Sequence, residues 1–425
     1  MSDFVKGLLG FNFFKSRPLN IRMEVDFKLK VTGLKCAVIA QTPVVRITTD
    51  EGIDGLGQIE ASKNYLKPHV LFYERFILGE DPTNVQRITM KLRRFGGFKP
   101  WGSSVSAIEM ALWDIAGKAA GLPVYKLLGG KVRDKVRVYN TATGPRLKGY
   151  SPEDYVENAR EKLALPHGFK IFKFPLGFHG GMFASSPKFF YGEVETGYPH
   201  PNKGYVTELG LKHCVECVKA LKEVLGEEYG LALDCGPGFP IPSAIKLAKA
   251  LEPFNVMWLE DLITGDYYPY TEVEAFRIVK SSTTTPIHTG EQIYLREGFR
   301  DLIERNAVDI IGPDPCDAGG IAETKWIAEL ADLHGVLIAP HSGLNGPIEL
   351  MAAVHMAATL PKNFIALEFP FAPPEWWEGN LVKGLEKPVV KDGFVEVPDK
   401  PGLGVELNEK AVRKILREED KDFFE

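Results

Sequence analysis

Three carboxylates carry the most chemical information in this chain of 425 residues. Asp234 ends the run YGLALD (229–234), Glu260 ends NVMWLE (255–260) and Glu291 ends PIHTGE (286–291). Each run is short, apolar and bounded by turn or polar residues, so each reads as a buried strand. If the strands are parallel, their carboxyl ends share one face, and three carboxylates gathered there repel unless a cation neutralises them. Oxygen ligands without a paired His or Cys suit a hard ion, so Asp234, Glu260 and Glu291 are the predicted ligands of one Mg²⁺. Taken singly, each is equally an acidic strand end facing solvent; the argument rests on three in register. Asp314 ends VDIIGPD (308–314) and His341 ends GVLIAPH (335–341). On adjacent strands, that carboxylate would raise the basicity of the imidazole and fix its tautomer, giving an acid/base device. Glu368 ends NFIALE (363–368), and Lys173 lies near the end of KIFKF (170–174), as a substrate contact, a proton donor or a salt-bridged strand end.

The elements that must position these residues form a repeat. With VRVYN (136–140), the runs number eight between about 133 and 370, most of them separated by helical patterns such as Gly320–His334. Alternating βα units of this size imply a parallel sheet, and eight imply closure into a barrel whose carboxyl-end face carries the site. Residues 177–208 are rich in Gly, Pro and aromatics and must be a long loop before a helix over Leu209–Leu225. A loop of that length in a compact domain is usually functional, and Tyr191, Tyr198 and Tyr205 either line a pocket or pack the loop down. Before the barrel, residues 1–132 read as an α+β module. VVRITTDEGIDGLGQIEA alternates as a hairpin turning at Asp50–Gly52, and Val105, Ile108, Leu112, Ile115 and Ala119 recur at helical spacing. After the barrel, in 371–425, VVKDGFVEV (389–397) reads as a hairpin about Asp392–Gly393, predicted to return and pair with the N-terminal strands.

Composition narrows the class. The chain is 44% hydrophobic and 25% charged, as a globular protein is, and its net charge of -5 shows no basic excess for a nucleic acid. No run is apolar for long enough to span a bilayer. The start MSDFVKGLLGFNFFKSRP reads as a loop or arm, because Asn12 interrupts its apolar stretch and no small-residue cleavage site follows. Cys36, Cys214, Cys217, Cys235 and Cys316 are odd in number and scattered, which argues for a reducing cytoplasm. Cys214 and Cys217 form a CxxC inside a predicted helix with no second pair, a weak signal for zinc or redox chemistry. The Gly-Pro-Gly at 236–238 is a turn and lacks the spacing of a dinucleotide fingerprint.

The order and spacing of several segments resemble the enolase superfamily, mandelate racemase subgroup, over nearly the whole chain. They are GLPVYKLLGGKVRD (121–134), GFKIFKF, the LD, WLED and TGEQ ligand ends, PDPCDAGGIAETKWIAELADLHGVLIAPH and VPDKPGLGVELNE. The resemblance implies an α/β fold: a (β/α)₇β TIM-like barrel closed at its mouth by an α+β capping domain built from the N-terminal region and the C-terminal tail. It also implies Mg²⁺-assisted removal of the proton next to a substrate carboxylate. Within the subgroup the chain is similar to galactonate and gluconate dehydratases. The implied partner is a small acid sugar, and the implied assembly a homo-oligomer.

Two departures bear on mechanism. Many members carry Lys-x-Lys at the second strand, the last Lys being a base; here the motif reads Lys173-Phe174-Pro175, and proline accepts no proton. Some sugar-acid dehydratases carry a His two residues beyond the first metal ligand; here it is Gly236. The His341–Asp314 pair is then the one complete acid/base device, with Lys173 or a tyrosine of the 177–208 loop left for the other proton transfer. This favours β-elimination of water from an aldonate over racemisation, which needs groups on both faces of the carbon. An epimerase or cycloisomerase using the same enolate, and a ligand-binding barrel without catalysis, are the alternatives. Specificity is expected from loops near 10–20, 60–66 and 177–208.

Overall fold

The computed structural model describes residues 29–96, 102–186, 188–191, 205–236, 238–263 and 272–425. The N-terminal arm, the 10–20 loop and Tyr198 lie outside them. The capping module opens with β1 (Val31–Ile39), β2 (Thr42–Thr49) and β3 (Asp54–Gln58), an antiparallel sheet in that order. The helix Gly102–Ala120 packs across this sheet so closely that a Cβ at Gly57 would fall 1.9 Å from the Ala107 carbonyl oxygen and one at Gly55 2.0 Å from that of Ala111. Glycine at both positions is therefore a packing requirement. Val45, Ile47, Val105, Ile108, Leu112 and Ile115 form part of the core between them.

The eight predicted runs are eight parallel strands: β4 (Lys135–Tyr139), β5 (Ile171–Pro175), β6 (Gly230–Asp234), β7 (Trp258–Glu260), β8 (Ile287–Thr289), β9 (Ile310–Ile311), β10 (Leu337–Ile338) and β11 (Leu367–Glu368). β5 to β10 pair in sequence order, and β11 pairs with β4. Parallel bridges Asn140–Phe172 and Ile338–Phe364 join the remaining gaps, so the barrel closes.

Strand period explains where the site lies. Ile171, Ala232, Trp258, Ile310, Ala339 and Ala366 pack together in the barrel interior with Tyr139. Successive side chains alternate faces, so two residues on from an interior position the chain points inward again, one layer nearer the mouth. Two residues beyond Ile171, Ala232, Trp258, Ala339 and Ala366 stand Lys173, Asp234, Glu260, His341 and Glu368. The intervening Phe172, Phe174, Leu233, Leu259 and Leu367 belong to the core between strands and helices.

The tail differs from expectation. The turn at Asp392–Gly393 forms, with an antiparallel bridge between Lys391 and Phe394. However, β13 (Phe394–Glu396) pairs antiparallel with β4, the first barrel strand, and not with the N-terminal strands. β12 (Val382–Lys383) pairs with β14 (Glu406–Leu407). Contact with β1 comes from the last turn: the Val38 amide donates to Asp420 Oδ2 at 3.0 Å, Lys67 pairs with Asp420's other oxygen, and Lys35 reaches Asp422 at 2.5 Å. No helix among the described residues is long and apolar enough to cross a membrane. All five cysteines are buried and free, the pair Cys214 and Cys217 included.

The helix Pro347–Ala357 carries a buried imidazole, His355, stacked on Tyr125 with ring centroids 5.8 Å apart. Burial pushes its pKa down to about 4 from the ordinary 6.5. The unfolded chain therefore binds the extra proton between about pH 6.5 and 4, so stability falls as pH drops through that window. The loss amounts to at most about 3 kcal/mol. His355→Phe is expected to flatten this acid limb in urea titrations between pH 7 and pH 4; an unchanged slope would count against it.

Candidate active site

Lys173 lies at the centre of the barrel mouth. Its Nζ is 2.6 Å from Glu260 Oε1, 3.3 Å from Glu368 Oε2 and 3.7 Å from Asp234 Oδ2, and the side chain is fully buried. Burial would strip its proton, but Glu260 and Glu368 outweigh it and hold the ammonium well above its usual range. In this arrangement Lys173 is a buried ammonium held among three carboxylates. Glu260 also accepts from Trp258 Nε1 at 3.0 Å and faces His288 Nδ1 at 3.5 Å. Against burial, Lys173 and then His288 hold its pKa at about 2. Asp234 is pushed up to about 6 by burial, partly offset by His179 and Lys173.

His341 faces these groups from β10. Its Nδ1 is 2.7 Å from Asp314 Oδ2, and Asp314 Oδ1 accepts from the Cys316 amide at 2.7 Å. Asp314 therefore fixes the tautomer with the proton on Nδ1 and turns Nε2 toward the mouth. There Nε2 is 3.2 Å from Glu291 Oε2 and 3.7 Å from Glu368 Oε2. Burial would lower the imidazole pKa, yet Glu291, Glu368 and Asp314 raise it well above the ordinary value. Glu368 Oε2 also accepts from Tyr139 Oη at 3.1 Å.

The structure thus links all seven residues singled out by sequence through contacts across the mouth. Asp234 and Glu260 lean toward Lys173, while Glu291 leans toward His341; the tighter acidic group is Asp314, Cys316 and Glu349, whose ligand atoms lie within 4.8 Å of one another. The residues present nonetheless fit a hard divalent cation. Asp234, Glu260, Glu291, Glu368 and Asp314 face one lysine and the imidazoles of His341, His179 and His288, an acidic surplus in a buried site. Asp234, Glu260 and Glu291 supply oxygen donors of the kind such an ion takes.

Other groups escaped the sequence reading. His179 follows β5 in a short helical turn and brings Nδ1 to 3.2 Å from Asp234 Oδ1. A His four residues past Pro175 was its only signal. From the capping module, Ala61 N donates to the Leu344 carbonyl at 3.0 Å, and Lys63 pairs with Glu60 at 3.1 Å and with Asp317 of the barrel. The 60–66 segment is thereby fastened beside His341: a Cβ at Gly343 would meet His341 Cε1 at 2.9 Å and Glu60 Oε1 at 3.5 Å. Tyr191 and Tyr205 are exposed, their ring centroids lie 6.3 Å apart, and Lys246 Nζ stands 5.4 Å from the Tyr205 ring. Position 236 has a steric reason to be glycine, since a Cβ there would stand 2.6 Å from Asp261 Cβ.

Comparison with known proteins decides the family. Residues 25–129 match the mandelate racemase / muconate lactonizing enzyme N-terminal domain, and residues 154–411 match the enolase C-terminal domain-like family. The chain belongs to the enolase superfamily, mandelate racemase subgroup. Among relatives of this superfamily member, a D-xylonate dehydratase of Haloferax volcanii is 34% identical over 395 residues, 90% of this chain and 87% of that one. A D-mannonate dehydratase of Caulobacter sp. (strain K31) is 31% identical over 379 residues, 86% of this chain and 89% of that one. A solved mandelate racemase/muconate lactonizing enzyme-like protein from Rubrobacter xylanophilus matches with a TM-score of 0.78 and 33% identity, over 92% of this chain and 98% of its own. The chain is an enzyme, a lyase of this superfamily.

Proposed function

We propose that this superfamily member is a metal-dependent sugar-acid dehydratase that converts an aldonate to a 2-keto-3-deoxy acid. The observation that carries the reading is the His341–Asp314 pair facing a buried carboxylate group that holds a single lysine. The names of the dehydratases it resembles support the substrate class. Asp234, Glu260 and Glu291 would hold Mg²⁺, which when bound supplies positive charge to the carboxylate side of the substrate as the α-proton leaves.

The chain's own residues have distinct parts in this reading. His341 Nε2 delivers a proton to the departing 3-hydroxyl, which leaves as water. Asp314 holds the opposite nitrogen and stabilises the imidazolium. Lys173, as an ammonium, and Glu368, bonded by Tyr139, orient the substrate's oxygens. Removal of the C2 proton falls to His341 itself or to His179. The latter rises from β5, three strands from β10 on the side of the ring that runs through β11 and β4. The resulting enol tautomerises to the keto acid.

A panel of aldonates assayed for keto acid with Mg²⁺ and with excess chelator is the direct test. At least one five- or six-carbon aldonate is expected to yield a 2-keto-3-deoxy acid, and chelator to stop the reaction. Ligand-induced thermal stabilisation with no keto acid from any member would favour a binding barrel instead.

A further inference from the structure

Behind the His341–Asp314 pair lies a second carboxyl that the chemistry above does not use. Glu349 is the third residue of the helix Pro347–Ala357 and is fully buried. Its Oε2 is 2.7 Å from Ser342 Oγ, one residue past His341, while Oε1 has no hydrogen-bond partner among the described residues. Its amide donates to Gln58 Oε1 of the capping sheet at 3.2 Å. Cys316 donates its thiol to the Gln58 carbonyl at 3.2 Å, and ligand atoms of Asp314, Cys316 and Glu349 lie within 4.8 Å of one another.

The charges around Glu349 are mostly of its own sign. Asp314 faces it from the end of β9 and Glu368 from β11, and the imidazole of His341 is the cationic group that acts on it most strongly among the described residues. That imidazole already serves Asp314 at 2.7 Å and Glu291 at 3.2 Å. Other polar neighbours are uncharged: Ser342, the Cys316 thiol, and Gln58, whose Nε2 is itself buried without a hydrogen-bond partner among the described residues and packs on Gly346. Asn345, beside Gly346, is likewise fully buried, with neither side-chain amide atom paired among the described residues. Two buried carboxylates this close repel, and the less stabilised of the two is driven to its neutral form. Asp314 has an imidazole and a backbone amide to stabilise its charge, and Glu349 has one hydroxyl. Burial, reinforced by Asp314, accordingly drives the Glu349 pKa well above the usual carboxylate range.

We propose that Glu349 is a positioning residue that works as a neutral carboxylic acid: it leaves the charge on Asp314 and, through Ser342, holds the segment that carries His341. Its part in turnover rests on the dehydratase reading; its protonation does not.

The test uses the full chain loaded with Mg²⁺, as wild type, Glu349→Gln and Glu349→Leu. At pH 7–8 the infrared spectrum of the wild type is expected to contain an H/D-sensitive carbonyl band of a buried carboxylic acid that Glu349→Gln lacks. Gln preserves a neutral group of the same shape, so it should retain kcat within about threefold, whereas Leu should lower kcat by about 10–100-fold with KM and Mg²⁺ affinity nearly unchanged. The imidazole ¹⁵N signals of His341 should move in Glu349→Leu and stay in place in Glu349→Gln; this needs no substrate and still decides the matter if Leu folds poorly. No difference band, equal damage from Gln and Leu, or a second tightly bound cation lost in Glu349→Gln would overturn the proposal. Failure of the wild type to dehydrate any aldonate would overturn the functional reading and leave the infrared and ¹⁵N results to decide the role of Glu349.

Discussion

Glu260→Gln is expected to lower kcat/KM by at least about a thousandfold and to weaken Mg²⁺ binding by about a hundredfold or more, with the fold intact. The size of the effect follows from where Glu260 stands. One of its oxygens meets Lys173 at 2.6 Å, and the other meets Trp258 at 3.0 Å and His288 at 3.5 Å. That surrounding holds the carboxylate ionised even when fully buried. The amide keeps the shape and removes the charge, so it subtracts the central member of the proposed ligand set without opening a cavity. Lys173 retains Glu368 at 3.3 Å and Asp234 at 3.7 Å, which protects the variant from a stranded buried charge. Titration calorimetry with Mg²⁺ reads the metal directly, and circular dichroism reads the fold. Wild-type turnover in excess chelator, or unaltered Mg²⁺ affinity in the variant, would remove Asp234, Glu260 and Glu291 from this role.

The parts legible in sequence are those governed by a period. Asp234, Glu260, His341 and Glu368 each stand two residues beyond an interior barrel position, so an apolar run ending in a polar residue already states which layer that residue occupies. The partner of the tail hairpin was not legible, because a strand's alternation says which face it buries and not which edge it joins. β13 pairs with the first half of β4, at Lys135, Val136 and Arg137, and the contact with β1 comes from the last turn of the chain. His179 escaped because the loop after β5 has no period: nothing in Gly177–Phe178–His179 says that the chain turns back over Asp234. Glu349 escaped for the opposite reason. It sits in an apolar helix where an acidic residue near the N-terminus passes for a favourable helix-dipole contact, and only the tertiary packing of Asp314, Ser342 and Gln58 around it reveals a buried acid.

His341→Asn should abolish elimination, by about 10³–10⁴-fold in kcat, while leaving metal and substrate affinity within a few-fold. In the proposed reaction the imidazole is the proton-transfer group on its side of the mouth. The ammonium of Lys173 is pinned by Glu260 and Glu368, and Pro175 offers no base. Asp314→Asn should cost less, about 10–100-fold, because it changes the orientation and basicity of His341 without removing it. Solvent isotope labelling separates the reactions this geometry supports. In D₂O, a dehydratase that controls ketonisation places one deuterium at C3 of the keto acid with a single stereochemistry, and NMR of the product reads it. If His341 alone serves both proton steps, His179→Ala leaves that labelling and most of the rate intact. If His179 removes the C2 proton, the same variant loses turnover while His341 keeps its bond to Asp314. Exchange at C2 with inversion and no keto acid would mean that bases act on both faces of the carbon. It would replace the dehydratase reading with a racemase in which His341 and His179, on opposite sides of Asp234 and Glu260 in the strand order, are the natural pair to test next.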